Sequence, residues 1–235
     1  MTVKNIRGKI EMTKEEKIKA SSEVACDENL LKNECVSEQI YETDLRKPTL
    51  LLHSCCGPCS TSVVLDLVHS YSITIYFYNP NITDKDEYEK RLESQKRFVD
   101  KYNNQCDKVD VIELVVGNYE PQNFFNKIKG LENEAEGLGR CKECFMLRLD
   151  NTAITAKLGG FDCFATTLSV SPHKNYEVIS EIGHGLCAVY GVGFVDKDYK
   201  KNGGYLRSTE LAKNYDLYRQ NYCGCEFSIR LKKIR

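Results

Sequence analysis

The run Leu50-Leu51-Leu52, followed closely by Cys55-Cys56-Gly57-Pro58-Cys59, constrains this chain more than any other segment. An apolar run that gives way to Gly-Pro reads as a buried strand ending where a helix begins. Three thiols in five residues fall at that junction. Core packing has no need of them there. A soft metal, an iron–sulfur cluster or redox thiol chemistry does.

The same alternation continues along the chain. Thr49 to Ser54 is predicted as a strand, and Ser60 to Ser70 as a helix with Val63, Val64, Leu67 and Val68 at helical spacing. Ile73 to Tyr78 is a second strand and Asn79-Pro80-Asn81 a turn. Thr83-x-x-Asp86 fits a capping box opening a helix that carries Tyr88, Leu92, Val99 and Tyr102. Strands follow over Val109 to Val116, Cys163 to Leu168 and Gly191 to Val195, with helices over Cys141 to Leu158, Tyr176 to Ile182 and Thr209 to Arg219. Gly159-Gly160 is a helix stop. Strands alternating with helices imply an α/β fold, a parallel sheet with flanking helices. Ligands of such sheets bind beyond the carboxyl ends of the strands, where the first cysteine group falls.

Residues 1–46 differ in character. They are rich in Lys, Glu, Ser and Asn, with Tyr41 the only aromatic, and bury too little to fold alone. They are expected to form an N-terminal extension in which Cys26 and Cys35 have no essential role, leaving 47–235 as one catalytic domain. No apolar run approaches the roughly 18 residues of a membrane span, and Met1 to Lys19 lacks the apolar stretch of a signal peptide. The expected location is the cytoplasm. In a reducing compartment twelve cysteines argue for metal or catalytic roles rather than a disulfide framework. The net charge of -1 averages over an uneven distribution: Asp196 to Arg235 holds ten Lys/Arg against five Asp/Glu. Such an excess meets phosphate or is a solvated tail.

Three cysteine groups carry the chemistry. Cys56-Gly57-Pro58-Cys59 matches the thioredoxin tetrapeptide, at a helix start that favours thiolate. However, the chain has no Trp, and a dithiol enzyme leaves the other groups unexplained. Cys141-x-x-Cys144 places two sulfurs on one helix face, a half-site for zinc or a cluster. Joined with the first group it makes one centre. An iron–sulfur cluster suits the ligand edge of a sheet better than structural zinc, because it does chemistry there. Cys223-Gly224-Cys225 is the third group, and a disulfide across one residue is strained and easily reduced.

The remaining candidates are weaker. Cys106 lies in a polar loop, and Cys163 and Cys187 have apolar neighbours and read as core residues. His53 is a packed strand-end histidine or a proton donor; His69 and His184 read as structural. The loop Ser169 to Asn175 either holds a phosphate through its N–H groups and Lys174 or is an ordinary capped loop. Tyr199, Tyr205, Tyr215, Tyr218 and Tyr222, set among Lys197, Lys200, Lys201, Arg207 and Arg219, suit base stacking or core packing. The sequence contains no GxxxxGK[ST], no GxGxxG and no SGGxDS-like loop.

Together these motifs resemble a known family. His53-Ser-Cys-Cys-Gly-Pro-Cys-Ser60, Asn79-Pro-Asn-Ile82, Arg140-Cys-x-x-Cys144 with Arg148-Leu149, Phe161-Asp162, Thr166-Thr-Leu-Ser169 with Ser171-Pro172 and Lys174-Asn175, and Leu217-Tyr-Arg-Gln-x-Tyr-Cys-Gly-Cys-x-Phe-Ser228 resemble the QueH-type epoxyqueuosine reductases. The resemblance implies a Rossmann-like, adenine-nucleotide-hydrolase-like domain. It implies cobalamin-independent reduction of the epoxide of epoxyqueuosine in a tRNA anticodon loop, with electrons from a donor that it does not identify. Carried over, Cys55, Cys56, Cys141 and Cys144 bind a [4Fe-4S] cluster, and Cys223 and Cys225 form the redox-active pair. Cys59 is the candidate ligand of a second, mononuclear iron. A zinc-stabilised RNA-binding module and a thioredoxin-like dithiol oxidoreductase are the competing readings.

Overall fold

The centre of the molecule is strand β1, Thr49–His53. Its three leucines are fully buried, as expected of a strand covered on both faces. Strand periodicity divides them. Leu50 and Leu52 pack into a core with Val63, Val64 and Leu67 of helix α1 (Gly57–Leu67) and Phe98 and Val99 of α2 (Lys85–Asn103). Leu51 packs on the other face with Leu149, Ala153 and Ala156 of α4 (Gly139–Gly159) and Ile179, Ile182 and Leu186 of α5 (Tyr176–Tyr190). Burying each leucine contributes about 1.5–3 kcal/mol. This is a computed structural model, and it describes residues 46–228. The N-terminal extension with Cys26 and Cys35, and the last basic residues Arg230, Lys232, Lys233 and Arg235, lie outside the described residues.

β1 pairs in parallel with β2 (Ser72–Phe77) on one side and β4 (Cys163–Thr166) on the other. β3 (Glu113–Val116) flanks β2 and β5 (Gly193–Phe194) flanks β4, giving the order β3-β2-β1-β4-β5. The fold is therefore the parallel, Rossmann-like α/β sheet expected. The chain reverses its direction of travel across the sheet between β1 and β4, and the crevice at such a switch point is where these folds bind ligands.

Several elements differ from expectation. α1 starts at Gly57, not Ser60, because Pro58 has the fixed φ of a first helical turn. The N-cap of α2 is Asp84 rather than Thr83: its carboxylate accepts from Glu87 N at 2.8 Å. The expected strand over Val109 to Val116 is only its second half, with a 3₁₀ turn at Lys108–Asp110 before it and Val109 and Val111 exposed. β5 is two residues long. α5 runs through Gly183 and Gly185 to Tyr190, and Gly191 in the left-handed region ends it. α3 (Pro121–Lys127) was not anticipated. The last described full helix, α6 (Gly204–Asn214), lies upstream of the predicted Thr209 to Arg219. It ends in a Schellman-type turn, with Asp216 left-handed at φ +50°, Asp216 N donating to Lys213 O and Leu217 N to Ala212 O. The chain beyond is tied to α2, where Lys101 Nζ donates to Tyr215 O and Ser94 Oγ to Tyr218 O. α4 ends at Gly159–Gly160 as expected. None of the described helices is long and apolar enough to cross a membrane.

Candidate active site

The first thiol group is built by the strand-to-helix turn itself. Cys56 is the N-cap of α1 in extended conformation, and Cys59 stands three residues on. Those are the two positions that a capping box sets side by side. The sulfurs of Cys55, Cys56 and Cys59 all lie within 4.8 Å of one another, close enough to share one metal ion. Cys55 Sγ is 4.0 Å from Cys56 Sγ. Ser54 locks the turn: its Oγ is 2.7 Å from Gln95 Oε1 and 2.6 Å from Ser60 Oγ, and its carbonyl accepts from Asn79 Nδ2 at 2.8 Å. Gly57 is required between the thiols, since a Cβ there would lie 2.6 Å from Ser94 O of α2. Hydrogen bonds from Cys56 and Cys59 hold the Cys55 thiol well below its ordinary range, with Lys174 and Arg148 assisting. The same bonds raise their donors, Cys59 well above the usual value and Cys56 to about 12. Three sulfurs this close, with one held toward its thiolate form, suit a soft metal.

The third group is brought there from the far end of the chain. Arg91 of α2, whose side chain is 1% exposed, donates to Cys223 O at 3.0 Å and Tyr222 O at 3.1 Å. Its Nε is paired with Glu87 at 2.7 Å, and Glu87 also accepts from Tyr218 Oη at 2.7 Å. Thr83 N donates to Gly224 O. Gly224 has φ +116°, a backbone state that other residues rarely adopt, and it turns the two neighbouring thiols toward each other. A hydrogen bond from Cys225 holds Cys223 well below the ordinary thiol range, and the charges of Lys174, Arg148 and Arg91 favour the thiolate further. Cys225 is raised by the same bond. Gln220, just upstream, reaches across and donates through Nε2 to Cys56 Sγ at 3.1 Å, so the tail touches the first thiol group directly.

Cys141 and Cys144 lie in the first turns of α4 and do not join the tight three-sulfur group. Cys141 packs against the apolar cluster containing Cys55 and Cys56, and its Sγ accepts from Gly137 N at 3.2 Å. Cys144 shares a smaller cluster with Cys225, Phe124, Ile128 and Phe227. Burial raises both thiols, Cys144 to about 11. One residue ties the three groups together. Arg148, one turn beyond Cys144, feels the charge of Cys144, Cys223, Cys55 and Cys141; these outweigh its burial and raise its pKa.

A cavity of about 480 Å³ opens beside these groups. Cys55, Cys59 and Cys223 line it together with Arg91, Arg148 and Lys174. Lys174 is half-buried, and Cys55, Cys223 and Cys59 outweigh the effect of burial and raise its pKa. The outer rim carries Tyr205, Tyr222 and Arg219, with Arg219 stacked 5.2 Å from the Tyr205 ring centroid and donating to its hydroxyl.

The other candidates resolve as follows. His53 is fully buried, with Nδ1 2.9 Å from Thr166 Oγ1 and Nε2 donating to Tyr78 O at 3.2 Å. Burial and Arg148 lower its pKa to about 3, so it is neutral and structural. His69 and His184 face Asp110 and Asp196 at the surface. Cys163 is a core residue of β4, Cys187 packs at the edge of the α4–α5 core, and Cys106 is half-buried. The Ser169–Asn175 loop spends N–H groups internally, His173 N on Ser171 Oγ and Lys174 N on Ser171 O, while Asn175 caps α5. Ser171, His173 and Lys174 of this loop line the cavity. Tyr199 and Tyr215 are packing residues; Tyr205 and Tyr222 reach the cavity. Lys197, Arg207 and Lys200 are paired with Asp66 and Asp198. Sequence reasoning gave no role to Arg91, Arg148 or Gln220. Arg148 had a readable signal: with Cys141 and Cys144 it repeats at one-turn spacing on one helix face. Arg91 had none.

Comparison with known sequences agrees with this arrangement. Residues 50–231 match the family described as Epoxyqueuosine reductase QueH. The Epoxyqueuosine reductase QueH of Streptococcus pyogenes serotype M1 is 40% identical over 196 residues, covering 83% of this chain and 76% of that protein. The proteins of that name from Staphylococcus epidermidis and Thermotoga maritima are 42% and 37% identical, covering 80% and 77% of this chain and 79% and 90% of their own lengths. With its thiol groups gathered at the ligand edge of a parallel sheet, and with this match over most of its length, the chain belongs to the epoxyqueuosine reductase QueH family.

Proposed function

We propose that this chain reduces epoxyqueuosine to queuosine in the anticodon loop of tRNA, without cobalamin, in the cytoplasm. The observation that carries the reading is that Cys55 and Cys59 from one end of the fold and Cys223 from the other line one cavity. The reaction needs two electrons and two protons: the epoxide C–O bonds break, a C=C bond forms, and the oxygen leaves as water. Oxidation of the Cys223–Cys225 dithiol to a disulfide balances this, releasing two electrons and two protons. An external donor then restores the thiols. Cys223 is the sulfur of the pair on the cavity wall, and Cys225 donates to it from behind. Lys174, a cation at the same wall, stabilises negative charge developing on the leaving oxygen.

In this reading Cys55, Cys56, Cys141 and Cys144 hold a [4Fe-4S] cluster, and Cys59 is a ligand to a mononuclear iron beside it. The donor set supports it: Cys141 packs in the same cluster as Cys55 and Cys56, the buried Arg148 stands beside them and an amide donates to Cys56 Sγ. When bound, such a cluster supplies electrons one at a time. Tyr205 and Tyr222 offer faces for an unstacked base, and Arg219 a cation for the backbone. Residues 47–235 serve as a single catalytic domain, with 1–46 as an extension.

Anaerobic purification followed by visible absorbance, iron and acid-labile sulfide tests the centre. The expected result is a brown protein with a band near about 400 nm and roughly four iron and four sulfide per chain, with further iron for a second site. Addition of tRNA carrying epoxyqueuosine to the reduced protein should then yield queuosine in a single turnover. A colourless protein holding only zinc would favour the RNA-binding reading, for which the tight Cys55–Cys56–Cys59 spacing is suitable. Turnover by a metal-free protein would favour the dithiol enzyme.

A further inference from the structure

Arg148 has no task in the function proposed above, yet its position is costly. Its side chain is 1% exposed. A guanidinium taken out of water needs partners for its donors, or the loss of hydration goes uncompensated. Nε donates to Cys144 O at 3.2 Å, one turn back on α4, and the guanidinium carbon lies 5.7 Å from the Phe145 ring centroid. Nη2 is buried and has no hydrogen-bond partner among the described residues, and Arg148 is one of the residues that line the cavity. The groups that favour its charge are the cysteine sulfurs nearby, Cys144 and Cys141 on its own helix and Cys55 and Cys223 from the other two groups. A buried cation with an unused donor, surrounded by thiols, is shaped for a sulfur-rich anion.

We infer that Arg148 is a positioning residue for the iron–sulfur centre, its Nη2 donating to a sulfur of that centre and holding the centre's reduction potential up. The inference rests on the cluster reading of Cys55, Cys56, Cys141 and Cys144. Reduction adds negative charge. A fixed cation and an N–H···S bond in a poorly solvated site both favour the more negative form. Cys141, Cys144 and Arg148 share one face of α4, so the donor is mounted on the same rigid element as two of the ligands. Arg is suited to this because one edge of its fork can be spent on Cys144 O while the other faces the centre.

The test is a potentiometric titration of the reconstituted protein, followed by visible absorbance and electron paramagnetic resonance, on wild type, Arg148→Lys and Arg148→Met. Iron and sulfide content and thermal melting are measured alongside. The expected result is equal iron and sulfide in all three, with the midpoint potential falling from wild type to Lys to Met. The fall for Met should be at least about tenfold in the reduction equilibrium, about 59 mV for one electron. If Arg148→Met does not fold, a lowered potential in Arg148→Lys, which keeps the charge but loses the fork, supports the inference. A residue that only braces α4 would change melting or iron content and leave the potential of the bound centre alone; that result overturns the inference. A wild-type protein that binds no iron and sulfide overturns the cluster reading and this inference with it. A wild-type protein that binds them, with variants at the same potential, overturns this inference alone.

Discussion

The Cys55–Cys59 turn and the Cys223–Cys225 loop reach the same cavity by opposite routes. The first is local. A strand ends, Cys56 caps a helix, Cys59 follows at the next capping position, and the sulfurs meet because helix geometry leaves them no choice. The second is long-range. Nothing between Asn214 and Cys225 forms a regular element that would aim the thiols. The loop is aimed instead by α2, through Arg91 to Cys223 O and Tyr222 O, Ser94 to Tyr218 O and Lys101 to Tyr215 O. Electrostatics differ mainly at Arg91. Cys55 and Cys223 each take a hydrogen bond from a neighbouring thiol and share the charges of Lys174 and Arg148, and Cys223 has in addition Arg91 of α2, the residue that clamps its backbone. A metal centre gains from rigid local geometry. A thiol pair that opens and closes a disulfide gains from a loop whose backbone is clamped while its side chains stay free to rotate.

The largest expected effect separates the two groups by role. Cys55→Ser should lose iron and activity together, whereas Cys223→Ser should lose turnover to background and keep iron and sulfide at wild-type levels. Loss of iron in both variants would erase the distinction. Next in size is Arg91→Met, which leaves Glu87 buried without its partner and should cost about 3–5 kcal/mol in a denaturant titration. Its activity should fall further than its iron content, because the clamp acts on the tail; equal losses of both would show the tail to be part of the metal site. Two glycines separate the groups in the same way. Gly224→Ala, at φ +116° and 3.0 Å from Ile82 Cγ1, should cost about 1–3 kcal/mol and reduce turnover at unchanged iron content. Gly57→Ala, pressed against Ser94 O, should shift the start of α1 and show its loss first in iron content. Iron and sulfide assays beside single-turnover rates read both.

The fold was legible wherever a pattern was local and strong. Leu50-Leu51-Leu52 could only be a buried strand, and the alternation after it could only be wound as a parallel sheet. Boundaries failed where tertiary contacts competed with propensity. Asp84 rather than Thr83 caps α2, and α6 stops at Asn214 because Asp216 turns left-handed and the chain beyond it is tied to α2. Of the predicted third strand, Val109 and Asp110 lie in a 3₁₀ turn and Val111 and Ile112 precede β3, with both valines exposed.

The candidate site divides along the same line. By itself the sequence singled out the three cysteine groups as candidates, because groups of that spacing have few other uses, and it determined the geometry of the one group set within a strand-to-helix turn. Only the tertiary structure decided which distant groups share a cavity and which side chains hold them. Arg91 and Cys223 are 132 residues apart, and nothing in either one's neighbourhood announces the other. Arg148, Lys174 and Gln220 look like ordinary polar residues until folding buries them, wholly or in part, beside sulfur. The physical reason is range. Backbone geometry and hydrophobic periodicity act over a few residues and are written in consecutive letters, whereas a buried charge acquires its meaning from partners that only the closed fold brings within reach.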